Sequence, residues 1–301
     1  MKIAHGLVNK PRWLAAWLAA EESMRTRVFG LVGLASLAWL LVGGAVGAAA
    51  AEGGAAPGLV AAGKLALGVE AVWTAKENLA EAQEYGWDDD GVPPGSQTAR
   101  EVTLKGDRYY LARLSYGLHR RLTVSARAGM VDGGIWAETL VNGRWEARLK
   151  SGFAWGLGAR GLLWESACGL GLSAGVDYLR WDDRGIKSWR TPDGDSTENY
   201  LAGIGSDLDY WRIQAEVVAH WRLGRWTPYL GGAYAYSKFK SEDNWTWDDG
   251  TQSHYRDDFS NNDRWGLVGG LQAELLPNLS LSLSGVAIMR EELGLALTYQ
   301  F

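Results

Sequence analysis

The sequence predicts an all-β fold, a closed antiparallel transmembrane β-barrel of ten strands (eight is the alternative count) behind an N-terminal signal segment. Three observations carry the prediction. Apolar residues after Glu52 recur with period two, the period of a strand with one apolar and one polar face. The charges sit on the polar faces, between small residues, while the apolar faces are bulky. The connections alternate between tight turns and long loops.

Composition narrows the class. The chain has 301 residues, a net charge of −5 and a single cysteine. A disulfide scaffold is excluded, because one cysteine has no partner in its own chain. The 40 Gly and 17 Trp are about 13% and 6% of the chain, both above ordinary usage, and its aromatic and branched content excludes disorder. The acidic balance excludes a nucleic-acid footprint, which needs a basic surplus.

Val28 to Ala51 reads VFGLVGLASLAWLLVGGAVGAAAA behind Arg25 and Arg27. A basic start, an apolar run and a small-residue end make a secretory signal peptide. Ala49 and Ala51 supply the A-x-A site and place cleavage before Glu52. Met24 opens a complete signal by itself, so residues 1–23 are read as an upstream start extension and 24–51 as the signal peptide. Residues 52–62 are then a short linker and 63–301 the barrel. Removing Lys2, Lys10, Arg12, Arg25 and Arg27 with Glu21 and Glu22 leaves a more acidic exported chain.

No later apolar run approaches the twenty residues of a membrane helix. Alternation takes over. Leu65, Leu67, Val69, Ala71 and Trp73 oppose Lys64, Gly68, Glu70 and Thr74. Tyr110, Ala112, Leu114 and Tyr116 oppose Arg113 and Ser115, and Leu122 through Met130 oppose Thr123, Ser125 and Arg127. Leu149, Phe153, Trp155 and Leu157 are set against Arg148, Lys150 and a Gly series. Leu170 through Tyr178 oppose Ser173 and Asp177, and Trp211 through Trp221 oppose Arg212, Gln214, Glu216 and His220. Trp265, Leu267, Leu271 and Leu275 oppose Arg264, Gln272 and Glu274. Leu279 to Leu283, Leu293 to Phe301 and the run Trp226 to Lys240 complete ten strands.

The polar faces carry Glu70, Arg113, Arg127, Arg148, Lys150, Asp177, Arg212, Glu216 and Glu274. Such a barrel is inside out, with lipid outside, a polar lumen and aromatic girdles at both interfaces. It must close, because an open edge in hydrocarbon would leave unpaired N–H and C=O groups. Tight connections fall at Gly117–Arg121, Glu165–Cys168, Leu223–Arg225 and Leu276–Asn278. The intervening ones run to about 25, 12, 25 and 22 residues, with Arg290–Glu292 a short exception.

With Tyr299 and the terminal Phe301, the chain resembles the small Gram-negative outer-membrane β-barrels of the opacity-protein and OmpA-like type, over nearly all of residues 63–301. That resemblance implies that Tyr299 and Phe301 belong to the signal read by the barrel-assembly machinery, and that outer-membrane lipid surrounds the barrel.

Three features bear on activity. Trp-Asp-Asp recurs at Trp87-Asp88-Asp89, Trp181-Asp182-Asp183 and Trp247-Asp248-Asp249, at or in long loops. The carboxylates could hold Ca²⁺ and the indoles could grip an extracellular ligand or surface. The plainer reading is an outer girdle with Asp-Gly turns. His254 with Asp257, Asp258 and Asp88–Asp90 resembles part of the omptin rim. The acidic pair expected in the second outer loop is reduced to Asp132 and Glu138, and the spacing around His254 departs from that pattern. The charged lumen could select ions or neutralise itself and close. Cys168 falls in a periplasmic turn.

The expected function is a non-enzymatic surface barrel, with no cofactor, whose acidic Trp-rich loops make contact or bind. The alternatives are a narrow small-solute porin and an omptin-like rim hydrolase.

Overall fold

The computed structural model describes residues 57–79, 84–88, 101–140, 143–190, 201–247 and 252–301. Segments 1–23 and 24–51, the cleavage positions Ala49, Ala51 and Glu52, and the loop residues Asp89, Asp248 and Asp249 lie outside them.

Ten strands close the barrel. They are β1 (Leu65–Leu79), β3 (Glu101–His119), β4 (Leu122–Leu140), β6 (Gly152–Glu165), β7 (Leu170–Arg184), β9 (Leu201–Trp221), β10 (Trp226–Trp247), β12 (Trp265–Leu276), β13 (Leu279–Ala287) and β14 (Arg290–Gln300). Each pairs antiparallel with the next, β14 returns to β1, and the β10–β12 pairing completes the ring. No ladder of these ten is left open to lipid, as hydrocarbon requires.

The inside-out reading holds in side-chain detail. Val69 is 61% exposed, while Glu70 beside it is 8% exposed and faces the lumen. Leu114, Met130, Phe153, Leu157, Val217, Leu230, Leu267 and Leu295 form the outward apolar belt. Aromatic rings collect at its extracellular edge. Trp155 meets Tyr178 at 5.4 Å, Tyr178 meets Trp211 at 6.5 Å and Trp211 meets Tyr236 at 5.4 Å, a girdle running across β6, β7, β9 and β10.

The long connections are built differently from the expectation. Four further strands, β2 (Glu84–Asp88), β5 (Gly143–Leu149), β8 (Ile186–Arg190) and β11 (Gln252–Ser260), occupy much of what reads in sequence as loop. β5 pairs with β4 and β8, while β11 pairs with β10 and β2. The upper halves of β1, β3, β4, β9 and β10 continue beside them, so the sheet carries on well past the lipid belt.

Two sequence assignments change. Arg148 and Lys150 were expected in the lumen, but both are exposed on the outside of the extension. The cause is a break at Lys150–Ser151: Ala147 and Leu149 point inward in β5, whereas Ala154 points inward in β6. A one-residue slip exchanges the two faces of a strand. The last hairpin turns at Ile288 and Met289, not at Arg290–Glu292. Ile288 has φ of 82° and is 64% exposed, while Met289 is buried.

Candidate functional site

The lumen is filled in three layers. At the periplasmic mouth the segment 57–62 folds inward. Val60 N–H donates to Thr123 Oγ1 at 2.9 Å, Gly58 N–H donates to Gln272 Oε1 at 3.0 Å, and Arg160 donates to the Pro57 carbonyl at 3.0 Å. Leu59 and Val60 are buried. A bridge joins Ala62 to Gly117, where any Cβ would strike the backbone of Val60 and Ala61. Residues 57–62, the described part of the stretch read as linker, therefore enter the barrel.

The middle layer is a charge network. Arg113 Nη1 reaches Glu70 at 2.6 Å, and Arg127 lies 3.7 Å from both Glu70 and Asp177. Arg160 pairs with Glu216, which also accepts from Gln214 at 3.1 Å. Gln214 accepts from Arg290 at 2.6 Å. Glu292 then takes Arg290 at 2.9 Å and Arg212 at 3.1 Å. Of the nine lumen residues expected from sequence, Glu70, Arg113, Arg127, Asp177, Arg212 and Glu216 join this network. Glu274 is half-buried on the inward face of β12 toward the periplasmic end. Sequence reading missed Arg160, Arg290 and Glu292. Arg160 stands in a Gly-rich strand whose parity identifies it, whereas Arg290 and Glu292 were assigned to a turn.

Above the network the interior turns apolar. Trp136, Trp181, Trp189, Tyr109, Tyr210, Phe239 and Phe259 pack with Val131, Leu179 and Leu208 in one buried cluster. Trp181 stacks on Tyr210 at 5.4 Å and meets Phe239 at 6.1 Å, and Trp136 meets Trp189 at 5.3 Å. The cluster is tied to the polar layer through Glu77, which accepts from Tyr210 at 2.9 Å and Ser237 at 2.5 Å. Arg184 is fully buried at its edge, donating to Asp107 at 2.8 Å, Lys150 O at 2.9 Å and Gly133 O at 2.5 Å. Gly134, at φ of 92°, leaves room for the Asp107 carboxylate where a Cβ would collide with it.

This corrects one Trp-Asp-Asp motif. Trp181 was expected in an exposed loop or girdle, yet it has no exposed surface. It falls on the inward parity of β7, which continues above the lipid. Asp182, pointing outward, pairs with Arg180 at 2.5 Å, and Asp183 is exposed at φ of 54°. Trp87 and Asp88 lie in β2, in register with His254 and Ser253 of β11, and Trp247 ends β10. His254 shares a hydrogen bond with Asn244, and Asp258 pairs with Lys238 at 2.8 Å. Asp257 is buried on the inward parity of β11. Among the described residues no group of three His, Cys, Asp or Glu side chains converges as a metal cage. Cys168 is exposed in its periplasmic turn, with its thiol pKa lowered chiefly by the Ser166 hydroxyl.

A closed ten-stranded barrel with a lipid-facing belt and a polar interior is an integral outer-membrane β-barrel of the Gram-negative envelope. No protein-family model matches the chain, and no curated protein matches it. Solved structures do. The outer membrane protein OprG from Pseudomonas aeruginosa is similar at 11% identity over 80% of this chain and 97% of that one, with a TM-score of 0.43. The translocator domain of autotransporter NalP from Neisseria meningitidis is similar at 11% identity over 95% and 97%, with a TM-score of 0.42. Ail, the attachment invasion locus protein of Yersinia pestis, is similar at 12% identity over 80% and 99%, with a TM-score of 0.26.

Proposed function

We propose that this protein is a closed, non-enzymatic surface barrel that works through its folded extracellular extension and not through its lumen. The observation that carries the reading is the aromatic layer. Trp181, Phe239, Leu208 and Val131 are all without exposed surface inside the upper barrel, and protein interiors packed in this way leave few voids larger than a water. The charged layer beneath supports the same reading, because its guanidinium groups are met by carboxylates and not left to line a channel. The lumen then serves as a core that fixes the strands beneath the extension.

The extension offers contact surface of a definite kind. Asp182, Asp183 and Glu242 present carboxylates on its outside, and β2 with β11 forms a strand pair at its edge. A cationic or hydroxyl-rich extracellular surface suits that chemistry. Planar-bilayer recording of the full mature barrel tests the reading. A correctly folded protein, confirmed by heat-dependent gel mobility, is expected to give no steady current steps. Regular steps proportional to salt would replace this reading with a small-solute pore.

A further inference from the structure

The outer face of the extension carries a patch of uncompensated positive charge on β5 and β8. These two short strands pair with each other, and β5 pairs with the upper end of β4. Ala147, Leu149 and Trp189 turn into the aromatic core. The opposite parity of β5 sends Arg148 and Lys150 outward, and Lys187 and Arg190 are exposed on β8. Ser188, the register partner of Arg148, lies between those two β8 cations. The Lys150 side chain crosses the backbone at Gly185, its Nζ 3.3 Å from where a Cβ would stand. Its ammonium is thereby held at the foot of β8, two residues from Lys187.

Among the described residues, the side chains of Arg148, Lys150, Lys187 and Arg190 form no hydrogen bond or ion pair. Glu146 stands opposite Arg190 in register, but it takes Arg144 Nε at 2.9 Å. Asp132, below the wall, accepts the Ser151 hydroxyl at 2.6 Å. Arg144 and Glu146 cancel, and four positive charges remain on two short strands. Neighbouring strands differ. Lys238 pairs with Asp258 and Arg256 with Glu242, and toward β9 the exposed Asp183 and Asp207 turn the surface negative. Like charges crowded on paired strands destabilise them, and an anion from outside the chain relieves that repulsion.

The height of the patch selects the anion. Phe153, three residues below Lys150 on the descending chain, still belongs to the outward apolar belt, at 61% exposure. At about 3.3 Å per residue, Lys150 stands roughly 10 Å along the strand above Phe153, and Arg190, level with Glu146, about 13 Å higher. The patch therefore rises from the headgroup zone along the side of the extension. It faces sideways across the membrane surface, because β5 continues the barrel wall through β4. We infer that the β5–β8 wall binds the phosphorylated core sugars that the outer leaflet's glycolipid carries above its acyl chains. Arg148 and Arg190 match phosphate oxygens in geometry as well as charge, and Lys150 and Lys187 act as point charges beside them. The inference rests on the membrane setting and the folded extension, and is independent of whether the lumen conducts.

The test is calorimetric titration of the refolded protein in nanodiscs of zwitterionic lipid. The probes are a phosphorylated core oligosaccharide freed of its acyl chains, the same sugar with its phosphates removed, and a sulfated polysaccharide. The phosphorylated core is expected to bind one to one, and more weakly as salt rises, since exposed charges are screened. Arg148→Gln and Arg190→Gln should each weaken binding by about fivefold, the weight of one cation against an anionic surface. Lys238→Gln, whose ammonium is taken by Asp258, should leave it unchanged. Protease resistance of the extension shows that each variant is folded. Absence of binding, equal binding of the phosphate-free sugar, or an equal loss in Lys238→Gln would overturn the site. Tighter binding of the sulfated polysaccharide would reassign the wall to a polyanion from outside the cell, and would overturn it too. With the extension still protease-resistant, none of these results touches the closed-barrel reading.

Discussion

Trp181→Ala is expected to cost about 3–5 kcal/mol, the range for emptying a fully buried tryptophan site. The indole has no exposed surface, stacks on Tyr210, meets the edge of Phe239 and lies 4.7 Å beneath the Arg184 guanidinium. Its N–H also donates to the Tyr109 hydroxyl at 3.3 Å. The loss should be local. The lipid-facing strands keep their ladder, so heat-dependent mobility should persist while a protease trims the extension. Urea unfolding from lipid vesicles measures the size, and Trp181→Phe, which keeps an aromatic ring in the stack, should lie between. A Trp181→Ala protein as stable and protease-resistant as the wild type would mean that the upper interior is not a packed core.

The second large effect lies in the lumen. Glu292→Gln keeps the shape of the side chain but leaves Arg290 and Arg212, both buried, without the carboxylate that takes both of them. Breaking a buried ion pair from one side costs about 3–5 kcal/mol, because the remaining charge stays desolvated and uncompensated. A lowered urea midpoint is the readout. Adding Arg212→Met should recover part of the loss by removing the surplus charge. Glu291→Gln, one residue away on the outward, half-buried face, should fall within about 0.5 kcal/mol of wild type, as surface changes usually do. Equal effects at 291 and 292 would contradict the assignment of faces.

These two positions also mark how far the sequence could be read. The parity of β1, β3, β4, β7 and β9 follows directly from alternation, since a strand half in lipid must separate its faces by polarity. Six of the nine lumen charges join the network for that reason. Arg148 and Lys150 failed because parity is meaningful only within an unbroken strand, and the sole mark of the break between β5 and β6 in RLKSGF is the Ser151-Gly152 dipeptide, which an alternation reading absorbs into its Gly series. Arg290 and Glu292 were lost to a turn for a related cause. The true turn at Ile288 uses a β-branched residue at positive φ, which sequence rules place among the least favoured choices. Trp181 shows a different limit. Above the membrane, apolar residues face inward again, so the inside-out rule that orders the belt reverses within β7 itself. A tryptophan next to two aspartates at that level reads as girdle, and only the continuation of the sheet past the belt makes it core.

Everything proposed above depends on that continuation, and hydrogen exchange of the refolded protein in lipid nanodiscs tests it most directly. Amides of the upper strands, at Val102 to Tyr109, Val131 to Ala137 and Leu208 to Tyr210, have ladder partners on both sides or pack over the aromatic core. They are expected to exchange as slowly as Tyr110 to Tyr116 within the belt, because opening them means disrupting a packed interior. Rapid exchange of those upper amides, with the belt still protected, would show an ordinary barrel topped by loops and would contradict the extension on which the proposed function depends.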